Sequence, residues 1–249
     1  MAKPRIDILT LFPEYFEGPF SVSIVKRALD KKALTLKTHY LRKWAKDKRK
    51  TVDDVPYGGG AGMVLKPDIL EKALAAIKRG RRKVRTLYLS PQGKRFDHAM
   101  ALELSKEKDL LLVCGHYEGL DERAMGWMDG EVSIGDFVLT GGEPAAAVIV
   151  DALVRFLPGV VGDRSSVEKD SFFNGLLDHP HYTRPRLFKG MEVPEVLLSG
   201  NHALIDKWRK KQSLKSTLAK RPDLLKAVQL DDEEKKLLAE AERELEQGS

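Results

Sequence analysis

Cysteine is nearly absent from this chain of 249 residues, in which Cys114 is the only one. A single thiol excludes a disulfide framework and a zinc site built from cysteines, and it is typical of a reducing compartment. Charged residues interrupt every apolar run well before the roughly 18 residues that a membrane helix needs. The first residues contain no apolar signal core. We therefore expect a cytoplasmic protein that does not enter a membrane.

Several common catalytic motifs are missing as well. No G-x-G-x-x-G string follows a predicted strand, and Lys94 lacks the upstream glycine and the Ser/Thr that a phosphate loop requires. H-E-x-x-H and G-x-S-x-G strings do not occur either. These absences disfavour a Rossmann dehydrogenase, a P-loop NTPase, a zincin and a serine hydrolase with a nucleophile elbow.

Charge is abundant but unevenly distributed. The 43 Lys and Arg residues exceed the 37 Asp and Glu residues, which gives a formal net charge of +6. Basic residues cluster within 26–50, 78–85 and 207–226, whereas residues 231–249 are acidic. The clusters favour a polyanionic partner, although a solvated helix face is the alternative explanation for any one of them.

Short apolar runs alternate with helical patterns in the first part of the chain. This alternation predicts an α/β fold with a parallel sheet and helices on both faces. The predicted strands are 6–12, 34–40, 86–89 and 110–114; the predicted helices are 21–29 (capped by Ser21), 67–78, 98–104 and 144–157. Arg155 is one of two charges in the last of these helices, which we expect to be mostly buried.

The composition changes near residue 160. We expect a first domain over 1–160, a flexible linker over 161–170 and a small, all-α second domain over 171–249. Its predicted helices are 201–214, with Leu204, Trp208 and Lys211 on one face, then 223–230, and a last helix that begins at the capping box of residues 231–234. In that last helix, Leu237, Leu238, Ala241 and Leu245 share a face.

Four loops that are rich in glycine follow predicted strands, at residues 90–93, 115–119, 133–136 and 140–143. Each taken alone is explained by a tight turn that needs glycine. In parallel sheets, however, ligands bind beyond the carboxyl ends of the strands. Four such loops in succession therefore indicate a shared pocket.

Nine strings carry a resemblance to a known family: residues 11–13, 53–63, 89–93, 114–123, 133–143, 155–159, 170–172, 177–185 and 196–202. In this order they closely resemble the bacterial tRNA (guanine-N1)-methyltransferases of the SPOUT superfamily. The resemblance extends to about Pro222, and the acidic last helix is its least distinctive part.

The resemblance implies an enzyme that transfers a methyl group from S-adenosyl-L-methionine to N1 of guanosine-37 in tRNA, next to the anticodon. It also implies a deep trefoil knot at the cofactor site and a homodimer with the active site at the subunit interface. A SPOUT methyltransferase acting on ribosomal RNA is the enzymatic alternative. A non-catalytic RNA-binding factor is the alternative from a different class.

The resemblance also implies roles for individual residues. Asp170 is the general base and Arg155 stabilises charge on O6; from the residues alone, Asp170 could equally cap a helix. The cofactor-binding residues are Ser90, Pro91, Gly115, Tyr117, Ile134, Gly135, Asp136, Phe137, Val138, Leu139, Gly141 and Gly142. The residues near the target guanosine are Glu118, Ser166, His181, Tyr182 and Arg184.

No metal site is predicted. His179 and His181 make only a weak pair, because Pro180 separates them and no further ligand is evident. The resemblance allows a magnesium requirement, for which the sequence offers no ligand set. Two departures from the family pattern are the string Gly141-Gly-Glu-Pro-Ala145, in which the proline is shifted by one position, and His116 in place of an arginine.

Overall fold

The computed structural model describes residues 3–162 and 168–247, and the chain divides into two compact units after Gly162. In the first unit, five parallel strands form one sheet in the order β2-β1-β6-β5-β7. These strands are β1 (Arg5–Thr10), β2 (Thr35–Tyr40), β5 (Arg85–Arg95), β6 (Asp109–Cys114) and β7 (Gly130–Ser133). Two further strands, β3 (Asp53–Asp54) and β4 (Val64–Leu65), pair as a short antiparallel ladder.

Hydrophobic side chains cover the sheet on both faces, which confirms the predicted α/β architecture. In β6, Leu110, Leu112 and Cys114 belong to one core cluster, and the alternate residues Leu111 and Val113 belong to the other. Helices α1 (Ser23–Asp30), α3 (His98–Leu104) and α4 (Glu143–Val154) pack on the first face. Helix α2 (Pro67–Lys78) packs on the second face through five buried apolar residues.

Several element boundaries differ from those predicted. The predicted helices 144–157, 201–214 and 223–230 span Glu143–Val154, His202–Lys220 and Pro222–Leu225. Strand β1 ends at Thr10, because the Thr10 hydroxyl accepts a hydrogen bond from the Phe12 amide and Pro13 begins a 3₁₀ helix, Pro13–Phe16. Helix α1 starts at Ser23, so Ser21 is not its cap. Strand β5 does not end at Leu89; it continues to Arg95 through a register shift in which Leu89 and Lys94 both pair with Val132.

The second unit contains a long helix, His202–Lys220, a short one, Pro222–Leu225, and a terminal helix, Asp232–Gln247. Its core is formed by Leu176, Leu214 and Leu237. The unit is not purely helical as predicted, because β8 (Leu187–Phe188) and β9 (Met191–Glu192) form an antiparallel pair. Of the predicted linker, residues 163–167 lie outside the described part of the chain.

In the long helix, the face that carries Leu204, Trp208 and Lys211 is not the buried one. The buried residues of this helix are Ile205, Leu214 and Thr217, whereas Leu204 is 52% exposed. The predicted capping box is confirmed, since the Asp231 amide donates to Glu234 Oε2 at 3.0 Å and the Glu234 amide donates to Asp231 Oδ1 at 2.8 Å. Among the described helices, none combines the length and the hydropathy needed to cross a membrane.

Candidate functional site

The four glycine-rich loops line one open cleft at the carboxyl edge of the sheet. Ligands of parallel α/β sheets bind at this edge. Ten of the twelve residues predicted for the cofactor line the cleft: Ser90, Pro91, Gly115, Tyr117, Ile134, Gly135, Phe137, Leu139, Gly141 and Gly142. Asp136 and Val138 are not among the lining residues, and Val138 is 84% exposed. Glu118, predicted for the guanosine, also lines the cleft.

The loops that follow β6 and precede α4 are joined by backbone hydrogen bonding. The Gly142 amide donates to the Gly115 carbonyl at 2.9 Å, and His116 forms an isolated antiparallel bridge with Gly141. A Cβ atom on Gly142 would lie 2.7 Å from the Cα of Cys114. Position 142 therefore requires glycine for close backbone packing against Cys114, independently of any ligand that the cleft binds.

A buried carboxylate lies behind this wall of the cleft. Glu143, the first residue of α4, is 3% exposed. Its Oε1 accepts a hydrogen bond from the Thr10 hydroxyl at 2.6 Å, and its Oε2 lies 2.8 Å from Nε2 of His116. The His116 ring also packs edge-on against Phe12, with centroids 4.9 Å apart. Glu143, Thr10 and His116 thus connect the carboxyl ends of β1 and β6 to α4.

No role was predicted for Glu143 or Thr10, and His116 was noted only as a departure from the family pattern. The sequence feature that could have indicated this buried contact is Glu143 itself, because it is a charged residue at the start of a strongly apolar helix. Cys114, the last residue of the apolar strand β6, is buried, and burial together with the Glu143 carboxylate raises the pKa of its thiol. The thiol is consequently protonated and unreactive near neutral pH.

Tyr88 is a second lining residue that the sequence did not reveal, because it lies within an apolar strand. Burial, reinforced by Glu131, raises the pKa of its phenol, so the hydroxyl stays protonated. A Cβ atom on Gly115 would approach the Tyr88 hydroxyl oxygen to 2.6 Å. The glycine therefore allows this hydroxyl to lie directly under the loop.

The glycine-rich segment 57–62 reaches the same region through Glu118. The Glu118 amide donates to the Met63 carbonyl at 3.0 Å. Gly62 has a φ of +86°, and a Cβ atom there would overlap the Glu118 carboxylate. The segment before β4 is thereby held against the rim of the cleft.

The remaining predicted residues are distributed between the two units. Arg155 is the C-cap of α4 and is exposed, whereas seven residues of α4 are buried, as expected for this helix. In the second unit, the Asp170 carboxylate accepts from the Ser171 amide at 3.2 Å in a turn rather than at a helix start. His181, Tyr182 and Arg184 are exposed, and Ser166 lies outside the described residues.

Part of the basic surface predicted over 207–221 is paired within the unit. Lys210 contacts Glu234 at 2.6 Å, Lys211 contacts Glu244 at 2.6 Å, and Lys215 contacts Glu244 at 2.8 Å. These carboxylates all belong to the terminal helix. The acidic end of the chain therefore neutralises one side of the basic helix.

A parallel sheet covered on both faces, with a glycine-lined cleft beyond its carboxyl edge, is the architecture of α/β enzymes that bind ligands at their strand ends. Residues 4–227 match the family described as tRNA (Guanine-1)-methyltransferase TrmD. The chain belongs to this family.

Named relatives agree with this assignment. The chain is 53% identical over 241 residues to the tRNA (guanine-N(1)-)-methyltransferase of Dictyoglomus turgidum, covering 97% of this chain and 98% of the relative. It is 52% identical over 238 residues to the protein of the same name from Dehalococcoides mccartyi, covering 95% and 96%. For the Syntrophomonas wolfei protein, the identity is 54% over 236 residues, covering 95% and 96%.

Proposed function

We propose that this protein transfers a methyl group from S-adenosyl-L-methionine to N1 of guanosine-37 in tRNA, next to the anticodon. Identity above 50% to tRNA (guanine-N(1)-)-methyltransferases over nearly the full length of both chains carries the proposal. The relatives' names disfavour the alternative of a ribosomal RNA methyltransferase. The intact cleft disfavours a purely RNA-binding role.

The donor set of the cleft fits S-adenosyl-L-methionine. Ile134, Leu139 and Phe137 offer apolar surface for the adenine ring, and the glycine-rich loops bring backbone donors and acceptors close to a ligand. The Glu118 carboxylate provides a negative charge at the rim that can face a cationic group. When bound, this cofactor supplies an electrophilic methyl group for in-line transfer, so no enzyme nucleophile is needed.

The chemical difficulty lies in the acceptor, because guanine N1 carries a proton at neutral pH. A general base must remove that proton, and a positive group near O6 must stabilise the charge that develops there. We assign the first role to Asp170 and the second to Arg155. The exposure of Arg155 at the end of α4 is compatible with contact to a docked base.

Recognition of tRNA is assigned to exposed aromatic and cationic side chains. An RNA base that is read or modified individually leaves its stack and packs on aromatic or guanidinium planes. Tyr182 lies 6.2 Å from Trp208 between ring centroids, and Arg184 follows two residues later. Together with Glu118, Ser166 and His181, they are our candidates for contacts to the target guanosine.

We also infer the SPOUT knot, a homodimer with the active site at the subunit interface, and action in the cytoplasm. The Gly142 amide donates to the Gly115 carbonyl, so the two loops lie against each other in the region where the resemblance puts the knot. Exposed apolar side chains on neighbouring elements support a dimer: Phe12, Tyr15, Val22 and Val148 are all more than 40% exposed. Light scattering combined with size-exclusion chromatography tests the dimer directly.

The decisive experiment measures transfer of a labelled methyl group to tRNA transcripts with guanosine or adenosine at position 37. We expect label only in the guanosine transcript, recovered as 1-methylguanosine, and none in ribosomal RNA. Equal labelling of both transcripts would refute the specificity. Labelling of neither would favour the RNA-binding alternative, provided that the protein is folded and binds S-adenosyl-L-methionine.

A further inference from the structure

The second unit contains a cluster of three side chains of which the proposed function uses only His181, as a candidate contact to the target guanosine. Asp178, His179 and His181 each point one metal-ligating atom toward the others, and these atoms all lie within 4.8 Å of one another. Within residues 3–162 and 168–247, this is the one group of three such residues. The structure thus places Asp178 beside the two histidines, a neighbour that was not evident from the sequence. We propose that Asp178, His179 and His181 form a binding site for one divalent transition-metal ion.

The distances are close to those of a formed metal site. Asp178 Oδ2 lies 2.9 Å from His181 Nε2, and Asp178 Oδ1 lies 3.9 Å from His179 Nε2. Ligand atoms about 2.1 Å from a tetrahedral zinc ion are about 3.4 Å apart. These two distances involve different oxygens of Asp178 and lie on either side of that value. Since one ligand atom from each residue lies within 4.8 Å of the others, side-chain rotations can bring one carboxylate oxygen and the two imidazoles around one ion.

A backbone carbonyl sets the tautomer of one imidazole. Nδ1 of His179 lies 3.3 Å from the Pro180 carbonyl oxygen, which can only accept a hydrogen bond. Nδ1 is therefore the protonated nitrogen of the neutral ring, and Nε2 presents its lone pair toward Asp178. A ring nitrogen that donates to a carbonyl while the other binds the ion is the usual arrangement of a metal-bound histidine.

The segment that carries the cluster is firmly anchored. The Leu177 amide donates to the Thr217 hydroxyl at 2.9 Å, and the Asp178 amide donates to the Ser171 hydroxyl at 2.9 Å. Oδ1 of Asp178 also accepts from the His179 amide at 2.7 Å, which orients the carboxylate. Ligands held by such contacts need little ordering when an ion binds.

The ligand types select the kind of ion. Two imidazoles and one carboxylate suit zinc and other late first-row ions, whereas magnesium and calcium prefer oxygen ligands. The His181 side chain is 71% exposed, so the remaining coordination positions face solvent and can take water or a phosphate oxygen. The site does not depend on the proposed function, because it is defined without cofactor or RNA.

Zinc binding to the full-length, untagged and metal-stripped protein tests the proposal. Titration calorimetry with Zn²⁺ is expected to show one ion per chain, and Co²⁺ is expected to give the visible absorption of a site with nitrogen ligands. Asp178→Asn and His179→Gln should each weaken Zn²⁺ binding at least tenfold. His202→Ala, which removes an exposed histidine outside the cluster, should leave the affinity unchanged.

Millimolar Mg²⁺ should not displace the bound zinc. If the protein takes up no zinc, or if both cluster variants retain the affinity of the unaltered chain, the proposal is overturned and Asp178 only hydrogen-bonds to its neighbours. Circular dichroism of each variant establishes that it is folded. Zinc binding and circular dichroism do not measure methyl transfer, so their results remain valid even if the proposed function is wrong.

Discussion

The carboxylate of Glu143 accepts a 2.6 Å hydrogen bond from the hydroxyl of Thr10, a residue 133 positions earlier in the chain. Both side chains are buried, and Glu143 also contacts His116. This arrangement fixes the start of α4 against the ends of two central strands. The loop that precedes α4 contributes Gly141 and Gly142 to the cleft, so the hydrogen bond supports the site from behind.

Replacing Thr10 with valine should therefore weaken both stability and cofactor binding. The substitution keeps the shape of the side chain but leaves a buried carboxylate oxygen without its donor, at a cost of about 1–3 kcal/mol. Chemical denaturation measures the free energy of unfolding, and calorimetry measures the affinity for S-adenosyl-L-methionine. Thr38→Val, at an exposed position of β2, is the matched control and should change neither. Unaltered stability of the Thr10 variant would contradict the role given to this hydrogen bond.

Gly141→Ala should reduce cofactor affinity more than tenfold. A Cβ atom at this position would overlap the His116 imidazole and lie 2.6 Å from Glu143 Oε2. The loop must therefore shift, and it forms part of the cleft wall. Gly18→Ala is the control, because a Cβ atom there has no neighbour within 4 Å. Normal cofactor binding by the Gly141 variant would show that this loop is not part of the cofactor site.

Much of the architecture could be predicted because it depends on local signals. Helix 67–78 begins at a proline and repeats apolar residues at helical spacing, and its bounds are those predicted. The run 110–114 is apolar on both faces, as a central parallel strand must be. Glycine-rich strings after such strands were sufficient to indicate a shared cleft, since parallel topology brings strand ends together.

Features that depend on distant partners could not be predicted in the same way. The buried face of the helix His202–Lys220 is set by packing against the terminal helix, and its sequence is only weakly amphipathic. Glu143 is buried because Thr10 and His116 satisfy it, and nothing in the adjacent sequence reveals these partners. The contact between Asp178 and His181, three residues apart, likewise depends on the backbone path between them, which the spacing alone does not reveal.

Asp170→Ala should abolish methyl transfer while leaving S-adenosyl-L-methionine affinity largely intact. Without a base, guanine N1 keeps its proton and cannot attack the methyl group; loss of a general base typically costs about 10²–10⁴-fold in rate. Single-turnover transfer to tRNA gives the rate, and calorimetry gives the cofactor affinity. Asp206→Ala removes an exposed carboxylate from the same unit and should preserve the rate. Loss of cofactor binding by the Asp170 variant would mean that its role is misassigned.

Asp7 should make stability depend on pH in the acid range. Its carboxylate is fully buried; burial alone would raise its pKa, but hydrogen bonds from His39, Arg5 and Arg81 outweigh this and hold the pKa well below its usual value. The stabilisation is therefore complete above the unfolded pKa of about 3.9 and is lost as pH falls toward the folded pKa.

Asp7→Asn should accordingly lower the free energy of unfolding by about 1.5–3 kcal/mol near pH 7, because Arg5, Arg81 and His39 lose the charge of their shared buried acceptor while Arg81 keeps its pair with Asp109. It should also flatten the decline in stability below pH 4. Urea denaturation between pH 2 and pH 7 measures both effects. The control is Asp30→Asn, which breaks only an exposed pair with Lys26. It should change neither the stability near pH 7 nor the decline in stability below pH 4. If the stability of the Asp7 variant falls below pH 4 as steeply as that of the unaltered protein, the loss of stability in acid is due to other carboxylates.

The terminal helix should weaken tRNA binding by neutralising lysines. Lys211 contacts both Glu240 and Glu244, and these carboxylates raise its pKa, so it stays charged but paired. Replacing Glu240 and Glu244 with glutamine releases Lys211 and Lys215 for phosphate contacts. Each released lysine that reaches a phosphate should steepen the dependence of log affinity on log salt by roughly 0.7–0.9.

Filter binding of tRNA at several salt concentrations measures this effect, which we expect as tighter binding at low salt and a steeper slope. The control is Glu242→Gln with Glu246→Gln, which makes the same change in net charge on exposed positions of the same helix. An equal effect of the two double variants would attribute the change to net charge alone. A larger effect of the Glu240 and Glu244 double variant would identify Lys211 and Lys215 as part of the RNA-binding surface, because only this variant removes the carboxylate partners of these lysines.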